Sequence, residues 1–180
     1  MSCGDGRRFV SRTVGAGIIT QARSDWELFE RLQGMPNVAA CHHLHYLQMA
    51  CEKLAKAYHF RDTDTLPSSL LTQHIGLAKF INSFLLSPRI REQFTGKLDQ
   101  LRAIQRECNR LAREVEQLAP AVDRGNSPQN AEYPWWDGDR IITTCEFSYS
   151  NLALLRESGG RAFLKWIRLA LESFDDLHIQ

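Results

Sequence analysis

The sequence predicts an all-α protein, an antiparallel bundle of five to six helices. Three observations carry this. Apolar residues recur at steps of three and four along several long segments, the joints between these segments are marked by proline or glycine, and no stretch alternates apolar and polar residues for long enough to make a convincing strand. The chain of 180 residues is 43% hydrophobic and 24% charged, which is enough apolar material for one domain with its own core.

Residues 1–23 read as a flexible basic arm. Arg7, Arg8, Arg12 and Arg23 face only Asp5, and Gly4, Gly6, Gly15 and Gly17 interrupt any apolar period. The helical domain, residues 24–180, is expected to begin at Ser24, an N-cap with Glu27 three residues later, and to run through Trp26, Leu28, Phe29 and Leu32 until Gly34 and Pro36 end the helix. From Asn37 to Phe60 the residues Ala40, Leu44, Leu47, Cys51, Leu54 and Tyr58 form one continuous stripe along a second helix. A polar turn at 61–65 leads to Pro67, which suits the first turn of a third helix carrying Leu70, His74, Leu77, Ile81 and Phe84 on one face.

Ser87-Pro88 stops that helix, and the longest helix is expected from Ile90 onward, with Leu101, Ile104, Cys108, Leu111, Val115, Leu118 and Val122 in strict three-four steps. Residues 123–139 form a long, aromatic-containing loop with Gly125, Asn126, Pro128, Pro134 and Gly138, of the length that is usually functional or mobile. Arg140-Ile-Ile-Thr-Thr is the best candidate for a strand, and it is short. Phe147 to Leu155 reads as a helix ended by Ser158-Gly159-Gly160, and the last helix carries Phe163, Ile167, Ala170, Phe174 and Leu177.

Composition also bounds function. No stretch approaches the roughly 18 to 20 apolar residues of a membrane span, and the first residues lack the apolar block of a secretory leader, so a cytoplasmic protein with no membrane partner is expected. The formal net charge of +1 means that any nucleic-acid surface must come from local segregation of charge. Cys3, Cys41, Cys51, Cys108 and Cys145 are odd in number and widely spaced, which indicates neither a disulfide framework nor a zinc ribbon; reduced packing residues are expected. No phosphate-cradling lysine loop, dinucleotide glycine fingerprint, nucleophile elbow or zinc-protease motif occurs, so nucleotide hydrolysis and acyl transfer lack support and no cofactor is expected.

Tyr46-Leu-Gln-Met-Ala-Cys-Glu-Lys-Leu-Ala-Lys-Ala-Tyr58 resembles the signature helix of the HEPN superfamily of nucleotide- and RNA-associated helical bundles. Thr72-Gln-His74 is similar to that family's threonine-histidine helix start, and Tyr133-Pro134 to its tyrosine-proline segment before the last helices; together these span about residues 37–177. The resemblance implies a homodimeric bundle working in toxin-antitoxin, phage-defence or RNA-processing systems. Active members are metal-independent ribonucleases with an arginine, four to six intervening residues and then a histidine, and no histidine of this chain has an arginine at that spacing. What the resemblance implies here is therefore a binding or regulatory protein without the usual nuclease pair.

The chemistry-bearing residues each have two readings. His74 could act as a general acid-base in RNA cleavage with Arg61 supplied from the preceding turn, but its place on an apolar stripe favours a packed core histidine. Arg102, Arg106, Arg110 and Arg113 make a ridge that could track phosphates, although Glu107, Glu114 and Glu116 interleave as on an ordinary solvated face. Tyr133, Trp135 and Trp136 could stack unpaired bases, the plainer reading being a loop anchored by its rings. In Cys41-His42-His43-Leu44-His45, His42 and His45 share the helix face opposite the stripe, yet two imidazoles do not define a closed site, so no metal is expected. The leading expectation is a non-catalytic HEPN-like protein with RNA or a partner protein as ligand; a divergent ribonuclease using His74 and a protein-interaction scaffold are the alternatives.

Overall fold

The computed structural model describes residues 3–63, 76–122, 125 and 128–176. It is an all-α bundle with one small antiparallel hairpin. Among the described residues the elements are, in chain order, α1 (Cys3–Gln33), α2 (Ala40–Asp62), α3 (Leu77–Leu85), α4 (Pro88–Glu92), α5 (Leu98–Glu116), β1 (Trp135–Asp137), β2 (Arg140–Ile142), α6 (Ser150–Ala153), a 3-10 turn (Leu154–Arg156) and α7 (Ser158–Glu172). Among the described residues no helix is long and apolar enough to cross a membrane.

The first difference from expectation is at the N-terminus. A single helix, the longest described, replaces the flexible basic arm over residues 3–23 and runs without a break through Ser24. Ile19, Ala22, Trp26 and Phe29 are buried along it at steps of three and four, so the apolar stripe begins before the expected cap. Gly15 explains why its glycines did not exclude a helix. A Cβ there would meet the carbonyl oxygen of Ala57 at 3.1 Å and the amide nitrogen of Arg61 at 3.3 Å, so the missing side chain is what lets α1 and α2 approach backbone to backbone. Arg23 likewise is no free arm charge, because its guanidinium donates twice to the Leu171 carbonyl near the end of α7 and pairs with Asp175.

Helix α2 lies at the centre. Leu44, Leu47, Cys51, Leu54 and Tyr58 are buried as their spacing predicts, with Gln48, Ala50, Ala57 and Phe60 widening the buried arc on both sides. The Tyr58 hydroxyl donates to the Ala170 carbonyl at 2.8 Å, and its ring packs against Phe80, Phe84 and Phe174, joining α2 to α3 and to the end of α7. Asp25 of α1 pairs with Lys53 of α2 and accepts from Gln21, which satisfies a carboxylate buried at the helix crossing.

The long helix expected from Ile90 is divided. Pro88 occupies the first turn of α4, and Gly96 turns the chain with φ +76 before α5 begins. Leu101, Cys108, Leu111 and Val115 of α5 are buried as expected. The expected helix over 147–155 is reduced to α6 and the 3-10 turn, since Phe147 and Tyr149 dock edge-on to one another and Phe147 packs on Trp135 of the hairpin. Ser158-Gly159-Gly160 does not end a helix but opens α7, whose Phe163, Ile167 and Ala170 are fully buried.

The connection expected as a loop over 123–139 ends in the hairpin, with Trp135 opposite Ile142, Trp136 opposite Ile141 and Asp137 opposite Arg140. The strand foreseen at Arg140-Ile-Ile is therefore β2. Asn130 organises the approach: its side-chain oxygen accepts from the amides of Glu132 and Tyr133 while its side-chain nitrogen donates to the carbonyls of Pro128 and Tyr133. The Ala131 amide donates to the Leu118 carbonyl beyond the end of α5, tying this loop to the bundle.

Candidate functional site at the head of α2

The chemistry collects where α2 begins. Cys41, His42, His43 and His45 occupy its first two turns, and consecutive side chains of a helix point about 100° apart, so the tract faces several neighbours at once. The segment 144–149, descending from β2, packs against it.

His43 faces a cleft between the end of α1, the start of α2, the segment 146–156 and the start of α7. The cleft encloses about 790 Å³, and its walls include Phe29, Leu44, Tyr149, Leu152, Arg156 and Arg161. The buried Nε2 of His43 has no hydrogen-bond partner among the described residues. Burial, then the positive charge of Arg156, then His42 push its imidazole below the ordinary histidine value of 6.5, so the ring is neutral at pH 7. Arg161 donates to the Arg156 carbonyl at 2.6 Å, which ties the first turn of α7 to the 3-10 turn. Among the described residues no carboxylate pairs with the Arg156 guanidinium. Buried apolar walls with a few convergent polar groups are the ordinary make-up of a small-ligand site.

On an adjacent face of the same turn, Cys41 and Cys145 bring their Sγ atoms to 3.4 Å, and His42 Nε2 stands 4.0 Å from the Cys145 sulfur. Cys41 is buried whereas Cys145 and His42 are exposed. Burial, with Cys145 beside it, pushes the Cys41 thiol up. The Tyr149 phenol, pushed up chiefly by burial, donates to the Asn130 carbonyl at 2.8 Å and holds this segment to the loop. His45 turns away from His42 toward Glu132, with Nδ1 3.5 Å from the carboxylate. The pairing of His42 with His45 considered from the sequence is thus not the grouping the fold makes. Cys145, 104 positions beyond Cys41, is the residue that sequence spacing missed, and no local signal marks it.

The other candidate residues are placed as follows. His74 lies outside the described residues. Arg61 is no free catalytic cation: it pairs with Asp62 at 2.7 Å, donates to the Phe174 carbonyl and stacks over the rings of Tyr58 and Phe174, with only 8% of its side chain and 5% of that of Asp62 exposed. It closes the far end of α2 against α7. On α5, Arg102 pairs with Asp99 and Arg110 with Glu107, while Arg106 and Arg113 are exposed without an ion pair among the described residues. The hydrogen bond from Arg110 holds the Glu107 carboxyl below its usual range. Of the three aromatics, Trp135 is buried and anchors the hairpin, whereas Tyr133 and Trp136 are exposed, Trp136 to 67% beside its cross-strand partner Ile141 at 58%. Comparisons with protein-family models, curated proteins and solved structures return no match to this chain.

Proposed function

We propose that this chain is a non-catalytic, HEPN-like binding or regulatory protein acting with RNA or within a toxin-antitoxin or defence system, and that the cleft beside His43 takes a nucleotide or the end of an RNA strand. The observation that carries the reading is an apolar cavity whose lining carries two guanidinium groups against one carboxylate, that of Glu146. Phe29, Leu44 and Leu152 offer a floor for a flat ring, while Arg156 and Arg161 stand where phosphate oxygens would be met by charge-assisted hydrogen bonds. The neutral His43 ring lies on the same wall. The lack of an arginine separated by four to six residues from any following histidine supports binding without cleavage.

Equilibrium binding of fluorescent mononucleotides and of short labelled RNA tests the reading. The Arg156→Ala/Arg161→Ala double variant should lose about tenfold or more in affinity, since a hydrogen bond to a charged group is worth about 1.5–3 kcal/mol. Equal affinity in parent and variant would remove the cleft from consideration. The same RNA, incubated with and without divalent metal, should stay intact. Cleavage abolished by His74→Ala in a folded variant would establish the ribonuclease alternative.

The outer face of the hairpin favours a second reading, a scaffold that docks a protein or a second copy of the chain through Trp136 and Ile141. Light scattering should then give twice the 20.6 kDa chain mass, and Trp136→Ser should lower that mass without changing nucleotide affinity.

A further inference from the structure

We propose that Cys41, His42 and Cys145 form a zinc site that pins the segment after β2 to the head of α2. None of the three lines the cleft, so the inference stands apart from the ligand reading. Their three donor atoms lie within 4.8 Å of one another. Zinc bound tetrahedrally, with Zn–S near 2.3 Å and Zn–N near 2.0–2.1 Å, sets the sulfurs about 3.8 Å apart and each sulfur about 3.6 Å from the nitrogen. The observed Sγ to Sγ distance of 3.4 Å and the Cys145 Sγ to His42 Nε2 distance of 4.0 Å both lie a few tenths of an ångström from those figures, and the Cys41 sulfur lies within 4.8 Å of the His42 ring donor. Rotation of the exposed His42 and Cys145 side chains would bring the three donors onto one ion.

The donor set selects the ion. Two thiolates and an imidazole are soft to borderline ligands, which prefer zinc to magnesium or calcium. A redox pair of cysteines would need no third donor, yet the ring nitrogen of His42 points at the same sulfur. The arrangement also follows from position: Cys41 and His42 are adjacent in the first turn of α2, and Cys145 sits in the turn after β2, so one ion would cross-link elements 104 residues apart. Since His42 and Cys145 are exposed, the fourth coordination position faces solvent and takes water. On binding, each thiol releases its proton to the buffer and coordinates as thiolate, so uptake weakens as pH falls.

The test uses the full chain, purified with reductant, and cobalt(II) as a spectroscopic stand-in for zinc. The parent should bind one cobalt per chain, with thiolate-to-cobalt charge-transfer absorption and the visible bands of a tetrahedral ion, both lost on adding zinc. Cys145→Ser and His42→Ala change exposed residues, and unchanged far-ultraviolet dichroism shows that they fold. Each should weaken uptake by more than the roughly 10- to 100-fold that loss of an outer-shell partner costs, and Cys145→Ser should lose charge-transfer intensity. Cys108→Ala, on α5, should bind as the parent does. Cobalt uptake without a charge-transfer band, or uptake equal in parent and Cys145→Ser, would overturn the proposal. So would a Cys41–Cys145 disulfide in the isolated chain that, once reduced, takes up no cobalt.

Discussion

Gly160 offers the sharpest check on the packing around the cleft. It is the third residue of α7 and is buried against the 3-10 turn. A Cβ at this position would stand 2.2 Å from the Leu155 Cα, 2.3 Å from the Leu154 carbonyl oxygen and 2.5 Å from the Leu155 carbonyl carbon. Carbon atoms in contact lie about 3.5–4.0 Å apart, so Gly160→Ala demands a movement of roughly 1.3 Å or more. All three neighbours are backbone atoms, and no side-chain rotation relieves the clash. Overpacking costs about 1–3 kcal/mol and occasionally more; a backbone clash belongs at the upper end, while the better helix propensity of alanine returns at most about 1 kcal/mol. The net loss should be about 2 kcal/mol or more, a fall in Tm of roughly 4–8 °C for a chain of this size. Gly159→Ala is the control. Its Cβ would meet the Glu107 side chain at 2.8 Å, and that side chain can swing away at the cost of its half-exposed pair with Arg110, worth about 0.2–1 kcal/mol. Urea unfolding should find Gly159→Ala within about 0.5 kcal/mol of the parent with an unchanged m-value. Equal stability of the two variants would refute the close approach of α7 to the 3-10 turn.

Leu47 is fully buried at the centre of α2, so Leu47→Ala should cost about 2–5 kcal/mol in the same urea assay. Arg61→Ala strips Asp62 of its close partner and should destabilise by on the order of 3 kcal/mol, measured by thermal melting, while leaving nucleotide affinity of the folded fraction unchanged. Burial and the nearby Lys79 push the His59 imidazole below 6.5, with Asp62 opposing. The unfolded chain therefore takes up the proton first, so stability is full above about pH 6.5 and declines as pH falls below it toward the lower folded value; urea midpoints of His59→Gln should lack that part of the decline. If RNA runs along α5, Arg106→Ala/Arg113→Ala should weaken its binding evenly across sequences and reduce the salt slope by about 0.7 per lost phosphate contact, measured by titration at several salt concentrations.

The three-four stripes of α2, α5 and α7 were legible because helical burial is periodic in sequence, and residues such as Leu54, Leu111 and Ile167 declare themselves through their neighbours three and four places away. Pro36 and Ser87-Pro88 were legible for the same local reason, since proline acts on its own turn. Other features depend on what lies across the fold. The glycines of α1 argue against a helix until Gly15 is seen against the Ala57 carbonyl, and Gly160 looks like a terminator until the 3-10 turn is found packed on it. Arg61 reads as an available cation until Asp62 and two aromatic rings enclose it. The sulfur pair is the extreme case. Cys41 and His42 stand together in the sequence, but the hairpin alone delivers Cys145 to them. Periodicity encodes which face of an element is buried; which distant residue meets that face is set by packing between elements, and a spacing of 104 residues carries no trace of it.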